Sequence, residues 1–508
     1  MSFRLQLSDC LSALDGNLSG DDVMVTGVSI DTRTLKPGDL YIAIKGHNFD
    51  GHAFVDHAIK AGARAVIVHS RMTTAVPQVR VADTTRALGD LARYWARRHQ
   101  VPTIAITGSN GKTTVKEIIA SILRQLGSVL ATRGNLNNDI GVPLTLLNLR
   151  PEHQYAVIEM GASKAGDIQR LVAIAEPDVA VITNIGAAHI EGFGSVDRIA
   201  EAKAEIFDGL GSDGWAVVND DDAYADVLRG HASHCHVRSF GLDEDADVQG
   251  VPGNGLVIQT TGKRLKPRFP LAGDHNGINA LAAVAAVQCL DVQAVSIVRG
   301  LESVRPVAGR LEKKAGIQGA KIIDDSYNAN PVSSKAAIDV LAKQSGVRYL
   351  VLGDMGELGD DAEHMHREIG LYAREAKIDG VWTIGKLASY ADMGFGLCNT
   401  PRMVVPLTQV SDANEKKVAV PSLAGGEVPT THGRPVRKGG AERSTQVSEG
   451  GHFKDQESLI QALRPWLSGD TTVLIKGSRS ARMERVVKGL VPTAPARGTS
   501  AVINEALS

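Results

Sequence analysis

Eight consecutive residues, Thr107-Gly108-Ser109-Asn110-Gly111-Lys112-Thr113-Thr114, constrain this chain more than any other stretch. They follow a short apolar run, Thr103 to Ile106, that reads as a buried strand. They precede Val115 to Leu123, where apolar positions recur at helical spacing. A strand, a Gly-rich turn and a helix start in that order make a cradle for phosphate. Backbone N–H groups point inward, the helix dipole favours an anion, and a lysine adds a point charge. Thr113 stands where a loop hydroxyl meets Mg²⁺. One position departs from the usual pattern. Where a P-loop carries a glycine five residues before Gly111, this chain has Ile106, so the loop is a shortened one.

A chain of 508 residues suggests about three domains at ~150 residues each. At 43% hydrophobic it can bury several cores, and a net charge of -2 gives no electrostatic case for a nucleic-acid partner. Cys10, Cys235, Cys289 and Cys398 have no paired spacing, which argues for a reducing compartment and against a disulfide frame or a zinc site. No apolar run approaches the ~18 residues of a membrane span. The first residues carry Asp9 and Asp15 and lack the basic start and apolar stretch of a signal peptide. The expectation is a soluble, cytoplasmic protein.

Residues 1–97 read as a small α/β module. Strands are expected over Val25 to Ile30, Asp39 to Ile44 and Ala65 to Val68, and a helix over His52 to Ala61. Two polar turns, Ser29 to Arg33 and Gly46 to His52, offer hydrogen-bonding groups at strand ends, where ligands are often held. From pattern alone, ordinary turn chemistry, with Asp, Asn and Gly satisfying the backbone, is the favoured account of both.

Residues 98–313 read as the central unit. Strands over Tyr155 to Ile158 and Val179 to Thr183 alternate with helices, which predicts a mainly parallel sheet. Ligands collect at the carboxyl ends of such strands. Thr107, Glu159 and the run Asn184 to His189 fall there, so Glu159 and His189 are placed to converge on phosphate and metal. The bland alternatives are a glutamate capping the next helix and a solvated loop histidine. The turn Thr132 to Asn138, with Asn135 and Asn138, is too rich in amides for a mere connector. Lys203 shares the apolar face of a helix expected over Val196 to Phe207, with Ile199, Ile206 and Phe207. Either its head group snorkels to the surface, or it is desolvated with a lowered pKa. A neutral amine can add CO₂ and become a carboxylate-like carbamate. Asn276 and Asn279 lie near one face of the first turn of an Ala-rich helix, free to offer amides to a base.

Residues 314–508 start a new alternation. Strands over Ala320 to Ile323, Tyr349 to Leu352, Val381 to Ile384 and Val473 to Ile475 each end in Gly, Asp or polar turns, as in an open doubly wound sheet. No dinucleotide glycine pattern follows the first of them. Residues 397–451 break the rhythm and read as a flexible insertion or long loop.

The chain resembles the Mur ligases of peptidoglycan synthesis, over about 1–390 and 455–490. The resemblance is carried by Thr107 to Thr114, Gly134-Asn135-Leu136-Asn137-Asn138, Asn184 to His189, Gly194 with Lys203, and Gly273 to Asn279. Asp325 to Pro331, Leu352 to Gly359 and Lys476-Gly477-Ser478-Arg479 complete it. It implies a three-domain α/β architecture: a small N-terminal domain, a central P-loop-type ATPase domain and a C-terminal Rossmann-like domain. It implies a monomeric, ATP- and Mg²⁺-dependent cytoplasmic ligase of the dipeptide-adding branch, acting on UDP-N-acetylmuramoyl-tripeptide and D-alanyl-D-alanine. Ser29, Asp31 and Arg33 would hold the UDP end, and Asn135 and Asn138 would also face substrate. Gly108, Ser109, Asn110, Gly111, Lys112, Thr113 and Thr114 would hold ATP phosphates. Thr113, Glu159 and His189 would surround Mg²⁺. Lys203 would be carbamylated and serve a second metal. Asn276, Asn279, Arg310, Tyr327 and Asn328 would contact adenosine. Residues 397–451 match nothing in the family pattern. The Asp-Asn-Pro-Arg signature of the diaminopimelate-adding relatives is absent, in keeping with the dipeptide-adding branch. The rival readings are another amino-acid-adding or folylpolyglutamate-type ligase, and a nucleotide-binding switch without ligase chemistry.

Overall fold

The computed structural model describes residues 3–46, 49–188, 190–396 and 449–492. His189, and most of the insertion expected over 397–451, lie outside the described residues. Three large sheets and one two-stranded pair organise the described residues.

The first sheet has five strands, in the order Asn17–Ser19, Gln78–Arg80, Ala65–Val68, Asp39–Ile42 and Gly27–Ser29. All neighbours are parallel except the first pair. The strand expected over Val25 to Ile30 is two strands. Met24–Val25 pairs antiparallel with Leu5–Gln6, and Gly27–Ser29 joins the sheet. The break falls at Thr26, whose N–H turns aside to Gly38 O at 2.9 Å. The helix expected over His52 to Ala61 opens as a 3₁₀ turn, Gly51–Phe54, before Val55–Lys60. Asp50 caps it by accepting from His52 N–H at 2.9 Å.

A helix that the sequence reading passes over, Thr84–His99, leads into the central sheet. Asp83 caps it by accepting from the N–H groups of Thr85 and Arg86. It buries Leu88, Leu91, Ala92 and Trp95, and the Trp95 indole donates to Leu149 O at 3.1 Å. Through it the core of the first sheet runs without a break into one face of the second.

The second sheet has nine strands. Ser128–Ala131, His153–Glu159, Thr103–Thr107, Val179–Ile182, Trp215–Asn219, His236–Gly241 and Val248–Gly250 run parallel in that order. Ile258–Thr260 and Lys263–Leu265 extend the edge through antiparallel pairings. Side chains alternate across a strand. Ala105 therefore packs on one face, while Ile104 and Ile106 pack on the other, under the helices Lys112–Leu123 and Asp274–Gln288.

The third sheet runs Glu312–Ala315, Lys321–Asp325, Thr471–Lys476, Val347–Gly353, Gly380–Ile384 and Glu449–Phe453. It is parallel except at its first pair. Its two faces carry separate cores. One is covered by Pro331–Ala342, Ala362–Glu375 and Ala388–Gly396, the other by Gln456–Leu463 and Glu484–Leu490. This is the doubly wound arrangement expected.

Candidate active site

The phosphate loop leaves the central strand Thr103–Thr107 between its neighbours His153–Glu159 and Val179–Ile182. Gly108 turns the chain at φ 144°, where a Cβ would collide with Thr183 Oγ1. Gly111 caps the following helix at φ 82°. The loop is pinned from one side. Ser109 N–H donates to Asn184 O at 2.9 Å, and Asn110 N–H to Asn184 Oδ1 at 3.0 Å. Ser109 Oγ donates to Gly186 O and accepts from Gly186 N–H, both at 2.9 Å. Asn184 to Gly186 thus act on the loop's shape. Its inner amides stay free to face a ligand.

Lys112 Nζ donates to Gly108 O at 2.6 Å across the loop. Burial lowers its pKa, and the nearby Arg310 charge adds to the effect while Glu159 opposes it. Thr113 Oγ1 donates to Glu159 Oε2 at 2.9 Å, and Asn137 Nδ2 donates to Glu159 Oε1 at 2.9 Å. Arg310 Nη2 donates to Thr113 Oγ1 at 3.0 Å, with its guanidinium 4.3 Å over the Tyr327 ring. Glu159 is buried, so each of its oxygens needs a partner and has one.

Lys203 is 1% exposed on the helix Val196–Asp208. Its Nζ lies 6.0 Å from the Phe193 ring centroid, and no carboxylate among the described residues is ion-paired to it. Burial, and then the charge of Lys112, hold its pKa well below the ordinary lysine range. The head group does not snorkel.

The loop faces a cleft of about 1300 Å³ shared with the third domain. Asn135, Asn138, Asn276, Asn279, Arg310, Tyr327 and Asn328 line it along with Ser109 to Thr114. Asn276 and Asn279 are buried and engage each other, Asn279 Nδ2 donating to Asn276 Oδ1 at 3.1 Å. Asn138 Oδ1 is partly spent on structure, accepting from Gly141 N–H at 2.8 Å. Across the cleft, Asn330 Nδ2 donates to Asn110 Oδ1 at 2.7 Å. Lys476 Nζ donates to Asp325 Oδ2 at 2.5 Å and to Asn328 O at 3.0 Å.

Ser29, Asp31 and Arg33 do not line this cleft. They sit at the carboxyl end of Gly27–Ser29. Ser29 Oγ donates to Asp31 O at 2.9 Å, and Arg33 Nη2 to Asp31 Oδ2 at 2.6 Å. The guanidinium holds the Asp31 carboxyl at about 2. The other polar turn brings Asp50, His52 and His69 together. The backbone N–H of His69 points at His52 Nε2 at 3.0 Å. That nitrogen is therefore an acceptor, and Nδ1 carries the proton toward Asp50 Oδ1 at 2.7 Å. The trio braces its turn.

Asn137, Asn330 and Lys476 belong to the site but received no role from the sequence. Asn137 lies inside the amide-rich turn, which was its signal. Asn330 and Lys476 act through contacts to residues far away in the chain.

Family models match at residues 24–96 (Mur ligase family, catalytic domain), 106–287 (Mur ligase middle domain) and 309–479 (Mur ligase, glutamate ligase domain). The chain belongs to the Mur ligase family. Among its Mur ligase relatives is the UDP-N-acetylmuramoyl-tripeptide–D-alanyl-D-alanine ligase of Escherichia coli K12. It is 38% identical over 507 residues, covering 95% of this chain and 98% of the relative. MurF from Acinetobacter baumannii superposes with a TM-score of 0.82 at 33% identity, covering 96% and 98% of the two chains. MurF ligase from Thermotoga maritima, solved in complex with ADP, gives a TM-score of 0.73 at 27% identity, covering 91% and 96%. The cleft suits the Mg²⁺ this family uses with ATP. Thr113 and Glu159 offer hard oxygen donors side by side, and the Arg310 guanidinium already puts positive charge against them.

Proposed function

We propose that this chain is an ATP-dependent amide ligase that joins D-alanyl-D-alanine to UDP-N-acetylmuramoyl-tripeptide, releasing ADP and phosphate. The observation that carries this reading is the 38% identity, over 95% of the chain, to a ligase named for that reaction. The same match gives no support to a folylpolyglutamate-type activity. The enzyme acts as a monomer in the cytoplasm on this reading.

A carboxylate is a poor electrophile and must be activated. An oxygen of the tripeptide acid attacks the γ-phosphorus of ATP, and the bond to the ADP oxygen breaks. The dipeptide amine then attacks the acyl phosphate carbon, loses a proton, and phosphate leaves as the amide forms. The loop amides that Asn184 does not occupy, at the helix start from Gly111 to Thr114, orient the phosphates. Lys112 exchanges its bond to Gly108 O for a phosphoryl oxygen and balances charge there. Bound Mg²⁺ neutralises charge on the transferring group. Thr113 and Glu159 would hold it, with His189. Lys203, whose pKa burial lowers, adds in its free-amine form through Nζ to the carbon of CO₂ and loses one proton to solvent. The carbamate so formed would serve as an anionic oxygen donor for a second metal. Asn276, Asn279, Arg310, Tyr327 and Asn328 contact adenosine. Asn135 and Asn138 face the muramoyl substrate, while Ser29, Asp31 and Arg33 take its UDP end. The third domain brings the dipeptide and keeps water from the acyl phosphate.

The test is phosphate release from ATP. Release should need both UDP-N-acetylmuramoyl-tripeptide and D-alanyl-D-alanine, and the product should be heavier by the dipeptide. Release that is indifferent to the muramoyl substrate would overturn the reading.

A further inference from the structure

The strand end that carries Glu159 is held from behind by a chain of buried polar groups that the reaction does not touch. Lys116 lies one turn after Lys112 on the helix Lys112–Leu123 and is 2% exposed. Its Nζ donates to Thr132 O at 2.7 Å and lies 3.0 Å from Glu117 Oε1. Thr132 is 1% exposed and directly follows the strand Ser128–Ala131. Its N–H donates to Val157 O at 3.1 Å, and its hydroxyl accepts from Glu159 N–H at 2.9 Å. From Thr132 the chain enters the turn whose Asn137 side chain donates to Glu159 Oε1. The backbone of that turn closes on the same strand end, Gly161 N–H donating to Asn137 O at 2.7 Å.

Thr132 is therefore the point where two supports of Glu159 meet, one through its backbone and one through its carboxylate. An interior lysine is an expensive way to fill space, because its charge must be compensated. A leucine or methionine would fill the same volume. What the ammonium adds, besides its ion pair with the neighbouring Glu117, is a charge-assisted bond to one carbonyl, that of Thr132.

We propose that Lys116 is a positioning residue which, through Thr132, fixes Glu159 and the Asn137 turn, and so sets how tightly the nucleotide-loaded site takes up a divalent cation. The inference rests on the reading of Glu159 as a cation-holding carboxylate. Lys116 touches neither substrate nor cation.

The experiment is Mn²⁺ binding to the full-length protein with ADP, followed by electron paramagnetic resonance. ADP affinity without metal and the thermal midpoint are recorded beside it. Lys116→Met should weaken Mn²⁺ binding roughly tenfold and leave metal-free ADP binding unchanged, and Lys116→Arg should recover part of the loss. Thr132→Val, near-isosteric, should weaken Mn²⁺ to a similar degree. The double variant should lose no more than the larger single loss. Normal Mn²⁺ binding by Lys116→Met, with or without a lowered midpoint, overturns the proposal, as does an additive double variant. Should Lys116→Met fail to fold, Thr132→Val decides alone, and unchanged Mn²⁺ binding there overturns it. Glu159→Gln separates the two readings. If it loses Mn²⁺ while Lys116→Met does not, only the positioning role falls. If it binds like the parent, the role of Glu159 falls and takes the proposal with it.

Discussion

Replacing Lys203 with alanine asks whether a desolvated amine serves the reaction. The side chain is 1% exposed, and the charge of Lys112 adds to burial in holding its pKa well below 10.5. An amine with the ordinary value is unprotonated about once in a thousand at roughly pH 7.5. Each unit of depression raises that fraction tenfold and removes about 1.4 kcal/mol from the cost of presenting a free amine to CO₂. The stability consequence has a definite sign. The folded pKa lies below the unfolded one, so unfolding takes up a proton between the two values. Stability therefore rises with pH from the folded value up to 10.5 and is flat above it, with a slope of at most about 1.4 kcal/mol per pH unit. Lys203→Ala should lower ATP-dependent phosphate release roughly 100-fold, the scale of losing one preorganised charge-stabilising group. A short-chain carboxylate should restore part of it, and stripping CO₂ from the buffer should slow the parent enzyme. In CO₂-free urea titrations between about pH 7 and 9, Lys203→Met should show a shallower rise of stability with pH than the parent. Unimpaired turnover in Lys203→Ala would refute the catalytic role. An identical pH slope in Lys203→Met would refute the desolvation itself.

Gly108→Ala should weaken ADP binding at least tenfold, because the loop must abandon φ 144° and clear Thr183 Oγ1; an unchanged calorimetric titration would contradict this. Burial pushes the Cys10 and Cys289 thiols up to about 12, so both should resist a thiol-reactive dye at about pH 8 in the folded protein and react after unfolding. Fast labelling of either in the native state, located by mass spectrometry, would show that the site is more open than described.

The strand, loop and helix around Lys112 were legible because three local signals agree: an apolar run, glycines where φ is positive, and helical spacing afterwards. The burial of Lys203 was half legible. Spacing put it on the apolar face, but only packing shows that its amine stays inside. The helix Thr84–His99 escaped because its outer face carries Arg86, Arg93, Arg97 and Arg98, which dilute a stripe of Leu88, Leu91 and Trp95. The short strands Val248–Gly250, Ile258–Thr260 and Lys263–Leu265 are too brief to show alternation. Two kinds of residue were out of reach. Lys116 looks like any polar helix position until its carbonyl partner is seen. Asn330 meets Asn110 across 220 residues of chain, a pairing no local pattern records.

The continuous apolar core through Thr84–His99 has a mechanical consequence. The first two lobes cannot shear past one another without exposing Trp95 and its neighbours. The third lobe meets the phosphate loop through the polar contact of Asn330 with Asn110, and Arg310, which reaches Thr113, sits in the joint between Gly309 and Leu311, both at positive φ. Muramoyl acid and the nucleotide's phosphates would then ride on one stiff anvil, and the amine would arrive on a separate hammer whose travel begins and ends at a few exchangeable hydrogen bonds.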